Sequence, residues 1–282
     1  MRAAIDSGRD QPYRDRHGKP PDHLVVHDRR ISMSRPLEGR RAVVTGAATG
    51  LGAAAVRALT AAGADVVATY HHTEPDDTAH ATWLQCDARD SAAVNAMMDA
   101  AVSELGGLDV LINAAGLWQQ GIPGMITADD IDFVIGTNLK TTIFTNQAAH
   151  VAMRKTGGRI INFGSAEAVT GSPISAVYAA AKGAVQAWTR SAARAWASDR
   201  VTVNALAPAI HTRGADRLRE FLGPEAALLI DQQIKASIPL GGALGDADRD
   251  LGPVLVFLAS EGAHFITGQL LAVDGGMIML GG

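Results

Sequence analysis

The sequence predicts an α/β fold, one parallel sheet doubly wound by helices, and three observations predict it. From residue 41 onward, short apolar runs alternate with longer stretches of helical period, the rhythm of strands joined by covering helices. The first strand runs directly into a glycine turn and a helix, Thr45-Gly46-Ala47-Ala48-Thr49-Gly50-Leu51-Gly52. After residue 37 no repeat, low-complexity stretch or interdomain linker breaks the pattern, so one domain at 37–282, roughly 245 residues, is expected.

Taken in order, residues 1–36 carry eight Lys/Arg, five Asp/Glu and four Pro with little to bury, so they are expected to be a disordered extension. Met33 stands just before the boundary. Two readings of the leader stay open: an upstream extension over the first 32 residues, or a genuine floppy tail. Strands are expected at 41–45, 65–70, 82–86, 108–113, 158–163, 201–205 and 269–273. Helices are expected at about 50–62, 90–105, 127–155, 175–198 and 246–260, ended by Gly63, Gly106-Gly107 and Gly157-Gly158. The segment from Arg213 to Pro239 mixes Leu218, Phe221, Leu222 and Leu229 with charges and reads as a helical lid over a substrate.

Composition excludes several classes. A formal charge of -4 gives no general pull toward nucleic acid or an anionic membrane, and residues 37–282 alone carry seventeen Lys/Arg against twenty-four Asp/Glu. Any anionic ligand must therefore be held by local backbone amides. Lys182, Arg190 and Arg194 interrupt the longest Ala-rich stretch, so no membrane span is expected. The single cysteine, Cys86, can form neither an internal disulfide nor a multi-thiolate metal site, which fits a reducing, cytoplasmic compartment. His17, His23 and His27 of the leader have no thiol or fixed scaffold beside them, and no metal is expected.

The glycine turn carries the first chemistry. Gly46 permits a tight turn, Gly50 lets backbone amides approach a pyrophosphate, and Gly52 lets the helix lie close to the strand, with the helix dipole favouring the anion. Farther on, Tyr178 and Lys182 lie four residues apart in a helical segment, on one face. An acid or base at neutral pH needs the phenol shifted by ~3 units. A cation ~4 Å away at an effective dielectric of ~20 supplies about that much.

Thr45-Gly-x-x-x-Gly50-x-Gly52 departs from the G-x-G-x-x-G spacing and, with Tyr178-x-x-x-Lys182, resembles the short-chain dehydrogenase/reductase family from residue 40 to the C-terminus. The resemblance implies a Rossmann-type domain and a hydride transfer between a nicotinamide cofactor and a secondary alcohol or ketone, whether 3-oxoacyl reductase-like or another ketone reductase or alcohol dehydrogenase. It implies Ser165, thirteen residues before Tyr178, as the hydroxyl that polarises the substrate oxygen, with Ser172 and Ser175 as nearby competitors. It also implies Asn138, whose backbone would hold a relay water, as a fourth catalytic residue. Lys182 and Tyr178 would in addition touch the cofactor. Phe163 and Glu167 stand where a hydrolase elbow needs glycines, so Ser165 is not read as a nucleophile.

The same resemblance assigns cofactor contacts to Gly46, Thr49, Gly50, Leu51, Gly52, Tyr70, His71, Asp87, Ala88, Asn113, Ala114, Gly116, Pro208, Ile210 and Thr212. Ala114 replaces the second Asn of the family's N-N-A-G motif, and Ala209 replaces the glycine that usually follows Pro208. Thr267-Gly268-Gln269 and Val273-Asp274-Gly275-Gly276 match its C-terminal signature, expected to serve folding and subunit contact. The second strand ends Thr69-Tyr70-His71-His72 with no acid to bind ribose hydroxyls, which favours NADP(H) over NAD(H). Thr49 weighs against this, since NADP-binding relatives often carry Arg there. Trp118, Gln120 and Glu167 are candidate pocket walls. A homotetramer, or a homodimer, is implied, with helices near 139–155 and 175–198 at the interface. The alternative function is a non-catalytic dinucleotide sensor on the same fold.

Overall fold

The computed structural model describes residues 35–280 except 77 and 79; the expected leader up to Ser34 lies outside the described residues. The chain from Arg35 onward forms one compact unit. Its seven strands are β1 (Arg41–Thr45), β2 (Asp65–Tyr70), β3 (Thr82–Gln85), β4 (Val110–Asn113), β5 (Gly158–Phe163), β6 (Val201–Pro208) and β7 (Leu270–Val273). They form a single sheet in the order β3-β2-β1-β4-β5-β6-β7. Every adjacent pair is parallel, so all carboxyl ends meet at one edge.

Period-two alternation builds a core on each face of the sheet. Ala42, Val44, Val66, Ala68, Val110, Ile112 and Ile161 point to one face, packed by α1 (Gly50–Ala61) and α8 (Gly252–Ala259). Val43, Val67, Leu111 and Ile160 point to the other, packed by α2 (Ser91–Leu105), α4 (Thr141–Met153) and α6 (Ala176–Ala195). Both faces are covered, which is why the strands read as continuous apolar runs.

The remaining helices correct the expected boundaries. The stretch read as one helix at 127–155 divides into α3 (Ala128–Ile135), a turn of π-helix at Gly136–Lys140, and α4. Asn138 causes no break in the chain's direction; it sits in the widened turn. A short α5 (Glu167–Thr170) follows β5, where no helix was expected. The 213–239 segment is α7 (Arg213–Ser237), interrupted at Gly223, which takes φ 77°, immediately before Pro224. Leu229 is exposed, whereas the side chains of Leu218, Phe221 and Leu222 lie outside the described residues. The C-terminal signature acts locally: the Asp274 carboxylate accepts from the N–H groups of Gly276 and Ile278, each at 2.9 Å. Among the described residues no helix is long and apolar enough to cross a membrane.

Candidate active site

In the sheet order the chain reverses direction between β1 and β4, and open α/β sheets bind ligands at such a switch point. The loop from β1 to α1 stands there. Gly46 and Gly50 take φ 60° and 58°, a left-handed conformation that L side chains rarely adopt. A Cβ on Gly46 would stand 2.7 Å from Ala115 Cα, and one on Gly52 would stand 2.9 Å from Ala47 Cα. Around Gly50 there is open space. Thr49 occupies the N-cap of α1 but makes no side-chain cap, and no acid lies in the first turn. The helix thus presents unsatisfied amide donors and its positive end, a fit for a pyrophosphate.

Two cavities flank this loop. One, of about 380 Å³, is lined by Thr49, Gly50, Arg57, Trp83, His211 and Thr212. The other, of about 290 Å³, is lined by Gly46, Tyr70, His71, Asp87, Ala88 and Gly116. Between them they gather expected cofactor contacts from the ends of β1, β2, β3, β4 and β6. Thr137 Oγ1, on the wall of the second cavity, is buried without a hydrogen-bond partner, leaving a polar group for a ligand.

Several expected contacts turn out to be engaged within the protein. Asn113 is buried with its Oδ1 accepting from Thr45 Oγ1 at 2.9 Å and Thr145 Oγ1 at 3.0 Å, while its Nδ2 donates to Thr142 Oγ1 at 2.9 Å. Its side chain ties β1, β4 and α4 together behind the wall that Ala115 and Gly116 form. Ala114 packs against the first core. Asp87 is held by Arg89, which donates to it at 2.7 and 2.9 Å and keeps its carboxyl well below the usual carboxylate range. Arg89 lines the cavity too, and the sequence reading missed it. Ile210 bridges to Gly245 just past Pro208, and Thr212 caps α7 by accepting from Ala215 N–H at 3.4 Å. Burial pushes the Cys86 thiol up to about 11, leaving it a small core group. Among the described residues no cluster of three His, Cys, Asp or Glu could hold a metal.

Ser165, Tyr178 and Lys182 come together beyond the end of β5. The Ser165 hydroxyl lies close enough to the Tyr178 phenol to favour its ionised form, and its Oγ accepts from Glu167 N–H at 3.2 Å. Ser175, one of its competitors, is fully buried and bonded to Glu167. Lys182 is buried and donates to the Phe163 carbonyl at 2.8 Å. Gly116 joins this group to the second cavity: a Cβ there would stand 2.8 Å from Asn138 Oδ1 and 3.5 Å from Lys182 Nζ. Asn138 is buried, its Nδ2 donating to the Leu117 carbonyl at 3.0 Å and its Oδ1 accepting from Leu117 N–H at 3.2 Å. It pins the loop after β4 from a π-turn, a form that recurs at functional sites.

Burial dominates the electrostatics of the phenol and its lysine. Lys182 Nζ lies 5.7 Å from the Tyr178 ring centroid, with one of its three N–H groups donated to a backbone carbonyl. Burial, with the Glu167 carboxylate adding, pushes Tyr178 up to about 12, and the nearby Ser165 hydroxyl offsets this only in part. Burial pushes Lys182 down to about 8. In this state Tyr178 is a firmly protonated donor. Of the expected pocket walls, Trp118 and Glu167 meet, with indole Nε1 donating to Oε1 at 3.2 Å, while Gln120 is exposed.

Comparison with known proteins follows the same lines. The family model described as Enoyl-(Acyl carrier protein) reductase matches residues 46–278. The chain is 35% identical over 253 residues to 2-dehydro-3-deoxy-D-gluconate 5-dehydrogenase of Escherichia coli K12, covering 86% of this chain and 96% of that protein. It is 34% identical over 252 residues to the 3-oxoacyl-acyl-carrier-protein reductase FabG of Salmonella typhimurium, covering 86% and 99%. A crystal structure described as a short-chain alcohol dehydrogenase from Sinorhizobium meliloti 1021 superposes with a TM-score of 0.77 at 33% identity, over 86% of this chain and 98% of that one.

Proposed function

The chain belongs to the short-chain dehydrogenase/reductase family, and on that premise we propose how its residues divide the reaction. It is an oxidoreductase that acts on CH–OH groups, interconverting a secondary alcohol and a ketone with a nicotinamide cofactor. When bound, the cofactor supplies or takes the hydride. Tyr178 donates its phenolic proton to the ketone oxygen and takes it back in alcohol oxidation. Ser165 donates a hydrogen bond to the same oxygen as its charge changes. Lys182 holds the proton path behind Tyr178 and contacts the cofactor ribose, and Asn138 keeps Gly116 and Leu117 in place for that contact.

The observation that carries this reading is the convergence of Ser165, Tyr178 and Lys182 against Gly116 at the carboxyl edge of the sheet. The test is Tyr178→Phe, followed by cofactor absorbance with ketones and alcohols. Loss of about a thousandfold in turnover is expected, within the range for a general acid. Unchanged activity would sink the assignment. The non-catalytic sensor reading finds no support, because the relatives named above are enzymes.

Three finer points belong to the same proposal. NADP(H) is favoured over NAD(H) because β2 ends in Tyr70-His71-His72 beside the second cavity without an acid. Measuring kcat/KM with each cofactor tests it. A homotetramer, or failing that a homodimer, through α4 and α6 is supported by the apolar Val151 exposed on α4, and sedimentation tests it. A cytoplasmic, reducing location is supported by the lone, buried Cys86.

A further inference from the structure

Glu167 adjoins the reacting groups, and the reaction above does not use it. It opens α5 two residues after Ser165, to whose Oγ its N–H donates. Two separate segments aim its carboxylate. From the loop after β4, Trp118 Nε1 donates to Oε1 at 3.2 Å. From the start of α6, Ser175 Oγ donates to Oε2, and Ser172 Oγ lies 2.7 Å from that hydroxyl. Ser175 is fully buried, so this anchor is shielded from water. The field of the carboxylate reaches Tyr178, whose phenol it helps keep protonated.

A carboxylate offers about four lone-pair sites, and protein donors take two of these. The remainder is acceptor capacity on the residue that bonds Ser165, the hydroxyl assigned above to the substrate oxygen. We propose that Glu167 determines substrate choice: it accepts a hydrogen bond from a hydroxyl close to the reacting carbonyl and repels a carboxylate or phosphate at the same place. The substrate class is thus a neutral hydroxylated ketone, or the corresponding diol. This rests on the oxidoreductase reading above and deepens it. Sites built to bond a hydroxyl discriminate strongly against analogues lacking it, because their polar groups are then left unpaired.

The test uses the full chain and three ketones that share one carbon skeleton: 4-hydroxy-2-butanone, 2-butanone and acetoacetate. They differ only in presenting a hydroxymethyl, a methyl or a carboxylate at one position. For the wild type, kcat/KM for the hydroxylated ketone is expected to exceed both others by about tenfold or more. Glu167→Gln keeps the shape and removes the charge, and should raise acetoacetate relative to 4-hydroxy-2-butanone by about tenfold. Glu167→Ala should erase the preference for the hydroxyl. Trp118→Phe, which frees Oε1, is a second variant should either Glu167 variant fold poorly, and should weaken the same preference. A purely structural role would lower all three ketones together and leave their ratios unchanged.

Ligand-observed saturation-transfer NMR with bound cofactor reads the same order of binding without turnover. Ratios that ignore Glu167 while turnover persists overturn this proposal alone. Binding that follows Glu167 without turnover supports it and sinks the assigned chemistry instead. Neither binding nor turnover sinks both.

Discussion

Lys182 Nζ donates to the Phe163 carbonyl at 2.8 Å, so the buried ammonium is anchored to the end of β5 and not to the phenol four residues before it. Burial without a carboxylate partner pushes its pKa down to about 8 from 10.5. Between those two values the unfolded chain holds a proton that the folded one has released, so this residue makes stability rise with pH from about 8 to 10.5. Lys182→Met removes that dependence. Relative to wild type, the variant should be more stable by up to about 3 kcal/mol near pH 7, with the difference vanishing above pH ~10.5. Urea unfolding of both proteins across this range measures it, and a pH-independent difference would refute the assignment.

The glycines of the phosphate loop separate two kinds of loss. Gly52→Ala forces a methyl against the backbone of Gly46 and Ala47, with no flexible side chain to yield. It should cost about 1–3 kcal/mol, as overpacking does, together with cofactor affinity. Gly50→Ala meets open space but must hold φ 58°, which costs about 1–2 kcal/mol. Gly50 lines the first cavity, the proposed cofactor site, so affinity should fall more than stability. Thermal melts and cofactor titration of both variants distinguish these outcomes.

The proposed preference for NADP(H) is tested at the end of β2. Tyr70→Asp places a carboxylate at the proposed adenosine-ribose position, where it would bind ribose hydroxyls and repel a 2'-phosphate. The kcat/KM ratio of NADP(H) to NAD(H) should fall by at least about tenfold, equal to ~1.4 kcal/mol of discrimination. An unchanged ratio would place the adenosine ribose elsewhere.

Much of this fold was legible because burial on both faces forces each strand to be apolar. The run Val201 to Ala205 announced β6, although the strand continues through Leu206 to Pro208 beside β7. β4 is counted from Val110, although the Asp109 backbone already bonds to both neighbouring strands, donating to the Arg41 carbonyl and accepting from Arg159 N–H. The site was legible where chemistry follows chain spacing, as in the glycine turn and the Tyr178–Lys182 pair. What spacing could not disclose depends on distant segments meeting. The Trp118–Glu167–Ser175 network joins three loops, and the pKa of Tyr178 is decided by burial and Glu167, neither visible along the chain. The π-turn at Asn138 was masked by continuous helical composition, although an asparagine competing for backbone bonds within a helix is its trace.

The sheet's opposite edge supplies a prediction independent of function. Asp109 accepts from Arg41 through Nε and Nη2, each at 2.8 Å, and from Arg41 N–H at 3.0 Å, joining the starts of β4 and β1. The Arg41 guanidinium also donates to the Gly106 carbonyl at 2.7 Å. Both side chains are mostly covered, at 28% and 15% exposure, so the pair is less screened than a surface bridge. Burial opposes ionisation of Asp109, but the bonds from Arg41 outweigh it and lower the carboxyl pKa. Its contribution is therefore complete above the unfolded value near 3.8 and is lost as pH falls through the lower folded value. Asp109→Asn should cost about 2 kcal/mol at pH 7, since it leaves a half-paired guanidinium while the position remains filled. That deficit should shrink toward pH 3, and KM for substrate should stay within about twofold of wild type because the pair lies at the strand starts, away from the site. Parallel acid-unfolding and steady-state measurements check both, and a deficit unchanged at low pH would show that packing, not the ion pair, explains the loss.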